Sequence, residues 1–96
     1  MNVLIIEDER PASQKLIRLL KEIDVCIVVA DIIESVEEAT NWLLNNPHPD
    51  LIFMDIQLQD GTCFEIFENC SIKTPVVFTT AVSYTYLDVY KRQVQW

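Results

Sequence analysis

The sequence predicts an α/β fold in which parallel strands form one sheet and helices cover both of its faces. Two observations carry this prediction. Short, fully apolar runs at residues 3–6 and 51–54 have the composition of strands that are buried on both faces. Between the apolar runs, apolar residues recur at helical spacing, so the elements alternate in the order βαβαβαβ. Because crossovers between parallel strands are right-handed, this order places helices on both sides of the sheet.

The first half of the chain supplies two strands and two helices. Strand one, the first helix and strand two are predicted at residues 3–6, 11–23 and 25–30. Pro11 suits the first turn of the first helix, and residues 25–30 are rich in β-branched side chains. Ser35 and Glu38 have the spacing of a capping box, which predicts the start of the second helix. That helix is expected to end at Asn45, Asn46 and Pro47.

The second half continues the alternation. Strands three and four are predicted at residues 51–54 and 75–78. Asp60 and Gly61 predict a turn, and Gly61 is the only glycine in the chain. Its scarcity suggests a positive φ or a close backbone approach, although a plain turn would explain it equally well. Thr62 and Glu65 have the spacing of a second capping box and open a third helix.

Length and charge narrow the classes of function. Ninety-six residues support one domain, and half of them are apolar, which is typical of a globular chain. A net charge of -8 disfavours nucleic acid and anionic membranes as direct partners. There is no basic segment followed by a long apolar stretch at the N-terminus, and no run approaches the ~20 apolar residues that cross a bilayer. We therefore expect a cytoplasmic protein without a membrane partner.

The cysteines and the histidine do not predict a metal site. Cys26, Cys63 and Cys70 are odd in number and lack C-x-x-C spacing. We expect each to be a small, buried apolar residue in a reducing compartment. The single histidine, His48, lies in a turn sequence and is expected to be solvated.

Polar side chains follow three of the four predicted strands. Glu7 and Asp8 follow strand one, Asp55 follows strand three, and Thr79 and Thr80 follow strand four. The carboxyl ends of parallel strands meet at one edge of the sheet, where open α/β folds place their sites. Carboxylates gathered there repel one another unless a cation or a proton lies among them. Mg²⁺, which prefers oxygen ligands, is the predicted cofactor.

The predicted pocket also suits phosphoryl chemistry. A carboxylate can attack phosphorus and form an acyl phosphate when a metal neutralises charge on the transferring group. Asp55 is the candidate nucleophile because it follows the central strand, and Thr80 is the candidate hydrogen-bond donor to a phosphoryl oxygen. The plain alternative is that acids and threonines at strand ends merely cap solvated loops. The coincidence of all three sets with the element order favours a site.

These segments resemble the receiver domain of two-component response regulators. The matching stretches are residues 3–9, 49–58, 60–61 and 74–81. The sequences of these stretches are similar to those of regulators that have a LytTR-type DNA-binding output domain. An output domain of this kind is not present in this chain. The resemblance implies a flavodoxin-like, CheY-like fold, with a partial receiver domain at residues 1–81 and an atypical tail at residues 82–96.

The family resemblance also implies roles for individual residues. Asp55 would be the phosphoacceptor for a sensor histidine kinase, and Thr80 would be the switch hydroxyl. Glu7, Asp8, Asp55 and the backbone carbonyl of Gln57 would hold Mg²⁺. Because the chemistry is shared with the kinase, such a domain is a switch rather than an enzyme. DNA would be contacted only through an output domain.

The chain departs from the family pattern after strand four. A receiver continues with a fifth strand that carries a lysine and with a last helix, whereas Lys91 is too near to Thr80 to be that lysine. The amino-acid composition changes abruptly at residues 82–96. We interpret this stretch as an artefactual or truncated end, and the alternative is a genuine variant edge of the sheet. Loss of the fifth strand would uncover the apolar face of strand four and favour instability, aggregation or a homodimer.

Two other functions compete with phosphoacceptance. Without the lysine, the domain could retain the fold but act only as a protein-interaction module that no longer switches. A hydrolase that passes through an aspartyl phosphate is a third class. Such enzymes usually carry a second Asp two residues after the nucleophile, where this chain has Gln57.

Overall fold

The computed structural model describes residues 1–79 and shows a parallel sheet with helices on both faces. Its elements in chain order are β1 (Asn2–Ile6), α1 (Arg10–Ile23), β2 (Val28–Ile33), α2 (Val36–Asn45), β3 (Leu51–Asp55), β4 (Gln57–Leu58), β5 (Gly61–Thr62), α3 (Phe64–Asn69) and β6 (Val76–Thr79). The main sheet has the order β2-β1-β3-β6, with every neighbouring pair parallel. The predicted α/β, flavodoxin-like fold is confirmed.

The core is divided between the two faces of the sheet. Alternate residues of β1 point to opposite faces, so Leu4 and Ile6 lie in one cluster and Val3 and Ile5 in the other. The first cluster packs against α2 and α3, and the second packs against α1. All four side chains are fully buried. The fully apolar run of strand one therefore reflects burial on both faces, as predicted.

Helices α1 and α2 begin where their sequence signals lie. Pro11 is in the first turn of α1, where its missing N–H leaves no hydrogen bond unmade. Ser35 is the N-cap of α2, and its Oγ accepts a hydrogen bond from the Glu38 N–H at 3.1 Å. The second helix ends at Asn45, as the sequence indicates.

Strand β2 lies three residues later than predicted. The apolar run at residues 25–30 suggests a strand from Val25, but Asp24 turns the chain first: its carboxylate accepts from the Cys26 N–H at 2.9 Å, and its carbonyl accepts from the Ile27 N–H at 3.2 Å. Val25 is 80% exposed. Strand β2 is the edge of the sheet beside β1, and an edge strand accommodates polar residues that an apolar-run criterion misses.

The β4–β5 hairpin is absent from the sequence-based prediction. Its two short strands pair antiparallel, with Gln57 opposite Thr62 and Leu58 opposite Gly61. Gly61 has a φ of +152°, which confirms the predicted positive φ. A Cβ at this position would also overlap the Glu65 carboxylate, so both proposed reasons for the glycine apply.

The capping box predicted for the third helix is only half formed. The Glu65 carboxylate accepts a hydrogen bond from the Thr62 N–H at 3.0 Å, which is the return half of such a box. The N-cap residue, however, is Cys63, whose side chain makes no capping hydrogen bond. Helix α3 starts at Phe64, so Thr62 lies one residue before the N-cap.

Several other predictions concern single side chains or the end of the chain. Cys63 is buried, but Cys26 is exposed, so the expectation that every cysteine is buried was wrong. The three cysteines are free, and His48 is exposed between α2 and β3. Thr80, Lys91 and the predicted tail at 82–96 lie outside the described residues. Within residues 1–79, no helix is both long and apolar enough to span a bilayer.

Candidate functional site

The carboxyl ends of β1 and β3 bring three carboxylates together. Glu7 and Asp8 directly follow β1, and Asp55 is the last residue of β3. The two strands are neighbours in parallel register, with Ile6 opposite Met54. One carboxylate oxygen from each acid lies within 4.8 Å of the others. The predicted gathering of Glu7, Asp8 and Asp55 at one sheet edge is therefore present.

Glu7 is the buried member of this acidic cluster. It is 5% exposed, and its Oε2 accepts a hydrogen bond from the Glu9 N–H at 3.2 Å. Burial, followed by hydrogen bonding to Asp55, raises the pKa of Glu7 to about 8. The raised pKa of Glu7 favours its neutral form at neutral pH, and the neutral carboxyl hydrogen-bonds to the Asp55 side chain.

The charge of Asp55 also affects the thiol of Cys63. Burial, and then the negative charge of Asp55, raise the pKa of the Cys63 thiol to about 11. Cys63 is fully buried, and its N–H donates to the carbonyl of Ile56 at 2.8 Å. The thiol is thus a neutral packing group that supports the loop after Asp55.

The remaining predicted site residues stand in different positions. Gln57 lies in β4, two residues beyond Asp55, and its side-chain Nε2 donates to the Leu58 carbonyl at 3.3 Å. The role of its backbone carbonyl as a metal ligand stays a prediction. Thr79 is opposite Asp55 in the register between β3 and β6. Thr80 follows Thr79 directly in the sequence but is not among the described residues.

The acidic cluster fits a hard divalent cation. Carboxylate oxygens are the ligands that Mg²⁺ prefers, and it binds proteins through one or two carboxylates while keeping several waters. A cation here would also reduce the repulsion among the three carboxylates, which protonation of Glu7 reduces when no cation is bound. The residues present therefore fit the predicted cofactor in chemical type, and their oxygens lie close enough together to approach one ion.

Asp60 is a residue whose role sequence reasoning missed. It was interpreted only as part of a turn, but its carboxylate accepts hydrogen bonds from the N–H groups of Val36 and Glu37 in the first turn of α2. The sequence around an acidic residue in a turn does not indicate hydrogen-bond partners more than twenty residues away. The only general signal is that the first N–H groups of every helix lack partners within the helix, so a nearby acceptor is expected.

The match to a family model identifies the chain. The model of the response regulator receiver domain matches residues 3–92. The chain therefore belongs to the response regulator receiver domain family, and it is the receiver domain of a two-component response regulator. The predicted family resemblance is confirmed.

Curated relatives support the similarity to LytTR-type regulators. The chain is 36% identical over 84 residues to the sensory transduction protein LytT of Bacillus anthracis, covering 84% of the chain and 33% of that protein. It is 37% identical over 84 residues to LytT of Enterococcus faecalis, covering 84% of the chain and 34% of that protein. The chain thus spans about a third of the length of these relatives.

Solved structures agree with the fold. The receiver domain of the PhyR response regulator from Erythrobacter litoralis has a TM-score of 0.69 and 27% identity, covering 98% of this chain and 67% of that one. The N-terminal domain of a response regulator/sensory box/GGDEF protein from Carboxydothermus hydrogenoformans has a TM-score of 0.72 and 22% identity, covering 99% of this chain and 100% of that one. The second likeness bears on the fold alone.

Proposed function

We propose that this receiver domain accepts a phosphoryl group on Asp55 from a phosphohistidine of a sensor kinase and signals by a conformational change. The observation that carries the proposal is the convergence of the Glu7, Asp8 and Asp55 carboxylates within 4.8 Å. Membership of the receiver family supports the same assignment. Glu7, Asp8, Asp55 and the Gln57 carbonyl would hold Mg²⁺.

The proposed reaction is a single phosphoryl transfer. A carboxylate oxygen of Asp55 attacks phosphorus, the phosphorus–nitrogen bond of the phosphohistidine breaks, and its electron pair returns to the imidazole. When bound, Mg²⁺ neutralises charge on the phosphoryl oxygens. Asp55 is half-buried at the strand end, so it is reachable by a donor and yet held by the sheet. The domain is a substrate and switch, not an enzyme in its own right.

The wider function belongs to the same proposal. Thr80 would donate a hydrogen bond to the phosphoryl group and draw the following loop towards it. DNA would be contacted by a LytTR-type output domain, since the acidic receiver itself is repelled by phosphate backbones. We expect such a protein to act in the cytoplasm, where the kinase and DNA are both accessible.

Phosphoacceptance is tested with a small acyl-phosphate or phosphoramidate donor and Mg²⁺. We expect intact-protein mass spectrometry to show one added phosphoryl group on the wild-type chain and none on Asp55→Asn. Asp31→Asn, which neutralises an exposed carboxylate on β2, is the matched control and should be labelled normally. Equal labelling of Asp55→Asn and wild type would contradict the proposal. Failure of the wild type itself would favour the interaction-module alternative.

A further inference from the structure

The carboxylate of Asp60 connects the hairpin after the phosphoacceptor to a different part of the fold. Its Oδ1 accepts from the Val36 N–H at 2.8 Å, and its Oδ2 accepts from the Glu37 N–H at 3.1 Å. These partners lie 24 and 23 residues away in the sequence. The Val36 N–H is also the main cause of a lowered pKa at Asp60, so the carboxylate is charged at neutral pH. We refer to these two hydrogen bonds as the Asp60 bridge.

The hairpin that carries Asp60 begins close to the acidic site. Asp60 lies between β4 and β5, and β4 begins at Gln57, two residues after Asp55. At the base of the hairpin, the Cys63 N–H donates to the Ile56 carbonyl at 2.8 Å. This hydrogen bond and the β4–β5 pairing hold the two ends of the segment together. A displacement at Asp60 would therefore also move the Gln57 carbonyl, which is expected to face the metal.

The other end of the Asp60 bridge rests on a fixed part of the molecule. Val36 and Ala39 of α2 are buried in the core, so the start of this helix cannot shift freely. Only two residues separate α2 from Ile33, whose carbonyl accepts the Glu7 N–H at 2.8 Å. The bridge thus joins the loop beyond Asp55 to the same chain segment that holds the backbone of Glu7.

A purely helix-capping role for Asp60 is the simpler alternative. Unpaired N–H groups at a helix start favour any nearby carboxylate. Ser35, however, already caps the same helix through the Glu38 N–H. Removing the Ser35 Oγ weakens the start of α2 and leaves the hairpin unchanged. Removing the Asp60 carboxylate weakens the start of α2 and also frees the hairpin from the helix. The two residues therefore form a matched pair.

We propose that Asp60 is a positioning residue that holds the Gln57 loop at the correct distance from Glu7 and Asp8 for Mg²⁺. The inference rests on the proposed metal site. Mg²⁺ demands near-ideal octahedral geometry, whereas Ca²⁺ tolerates irregular coordination. A loosened loop would consequently reduce Mg²⁺ affinity more than Ca²⁺ affinity, and this change in ratio separates positioning from a general loss of stability.

The test is a calorimetric titration of the whole chain with Mg²⁺ and, separately, with Ca²⁺. We expect Asp60→Ala to weaken Mg²⁺ binding about ten-fold, as supporting residues around metal sites do, and to weaken Ca²⁺ binding much less. Asp60→Asn keeps one acceptor oxygen and should fall between Asp60→Ala and wild type. Ser35→Ala should bind both ions like the wild type. Hydrogen exchange in the metal-free chain should show faster exchange at Val36 and Glu37 in Asp60→Ala.

The outcomes separate this inference from the proposed function. Equal Mg²⁺ affinity in Asp60→Ala and wild type would overturn the positioning role while leaving the metal site intact. Parallel losses of Mg²⁺ and Ca²⁺ binding in Asp60→Ala and Ser35→Ala would reduce Asp60 to a helix cap and overturn it as well. A wild-type chain that binds no Mg²⁺ would instead overturn the proposed metal site, and the positioning role with it.

Discussion

At the scale of single residues, Glu7 shows how the acidic site is stabilised without a cation. Three carboxylates lie within 4.8 Å of one another, and the most buried of them holds a proton. Burial favours the neutral form because the charged form loses its hydration, and the neighbouring Asp55 then accepts a hydrogen bond from it. Mg²⁺ binding would require that proton to leave, so metal and proton compete for the same site.

The first prediction concerns the pH dependence of the metal-free fold. The pKa of Glu7 is about 8 in the folded protein against 4.5 for the free side chain, so between these values the folded state binds more protons than the unfolded state. Stability from this group is complete below the lower value and is lost as pH rises through the higher one. Urea unfolding in EDTA from about pH 5 to about pH 9 should therefore show falling stability.

Glu7→Gln provides the decisive comparison for this pH effect. Glutamine has nearly the same shape but does not titrate, so the variant should lose most of the decline between about pH 5 and about pH 8. Glu9→Gln changes an exposed neighbour and should follow the wild type. If Glu7→Gln and wild type lose stability in parallel as pH rises, the proton does not reside on Glu7.

At the scale of secondary-structure elements, the sequence predicted what local patterns determine. The first helix, the Ser35 cap and strands three and four were located to within a residue or so, since apolar periodicity and capping residues act locally. Strand β2 was misplaced because its boundary depends on the Asp24 turn. The β4–β5 hairpin was missed because each strand has two residues, too few for an alternating pattern.

The second prediction tests whether this short hairpin contributes to the core. Leu58 is 2% exposed and packs in the cluster shared by α2 and α3. Leu58→Ala should lower the free energy of unfolding by ~2–4 kcal/mol, because it removes buried methyl groups and leaves a cavity. Gln59→Ala, at an exposed neighbouring position, should change it by less than ~0.5 kcal/mol. Urea denaturation curves measure both, and similar small effects would mean that the hairpin is not integral to the core.

At the scale of the whole molecule, the parallel sheet explains why the site was predictable and its supports were not. The residues Glu7, Asp8 and Asp55 follow apolar strands, and parallel strands always bring their carboxyl ends to one edge. The element order alone therefore placed them together. Two other features depend on how a loop folds back against α2 and α3: the Asp60 bridge, and the effect of the Asp55 charge on the pKa of Cys63. No local sequence pattern encodes that folding.

The last prediction is that Mg²⁺ stabilises the entire fold through this one edge. A ligand that binds only the folded state at 100 times its Kd adds about 2.7 kcal/mol, so thermal unfolding should shift upwards as MgCl₂ is added. The chain carries a net charge of -8, and screening by any salt also relieves self-repulsion, so NaCl of equal ionic strength is the control. Asp8→Asn should be at least as stable as wild type without metal, because it removes one repelling carboxylate, yet should respond to MgCl₂ only as it does to NaCl. An equal shift by both salts in the wild type would mean that Mg²⁺ acts as a general counterion and not at the acidic edge.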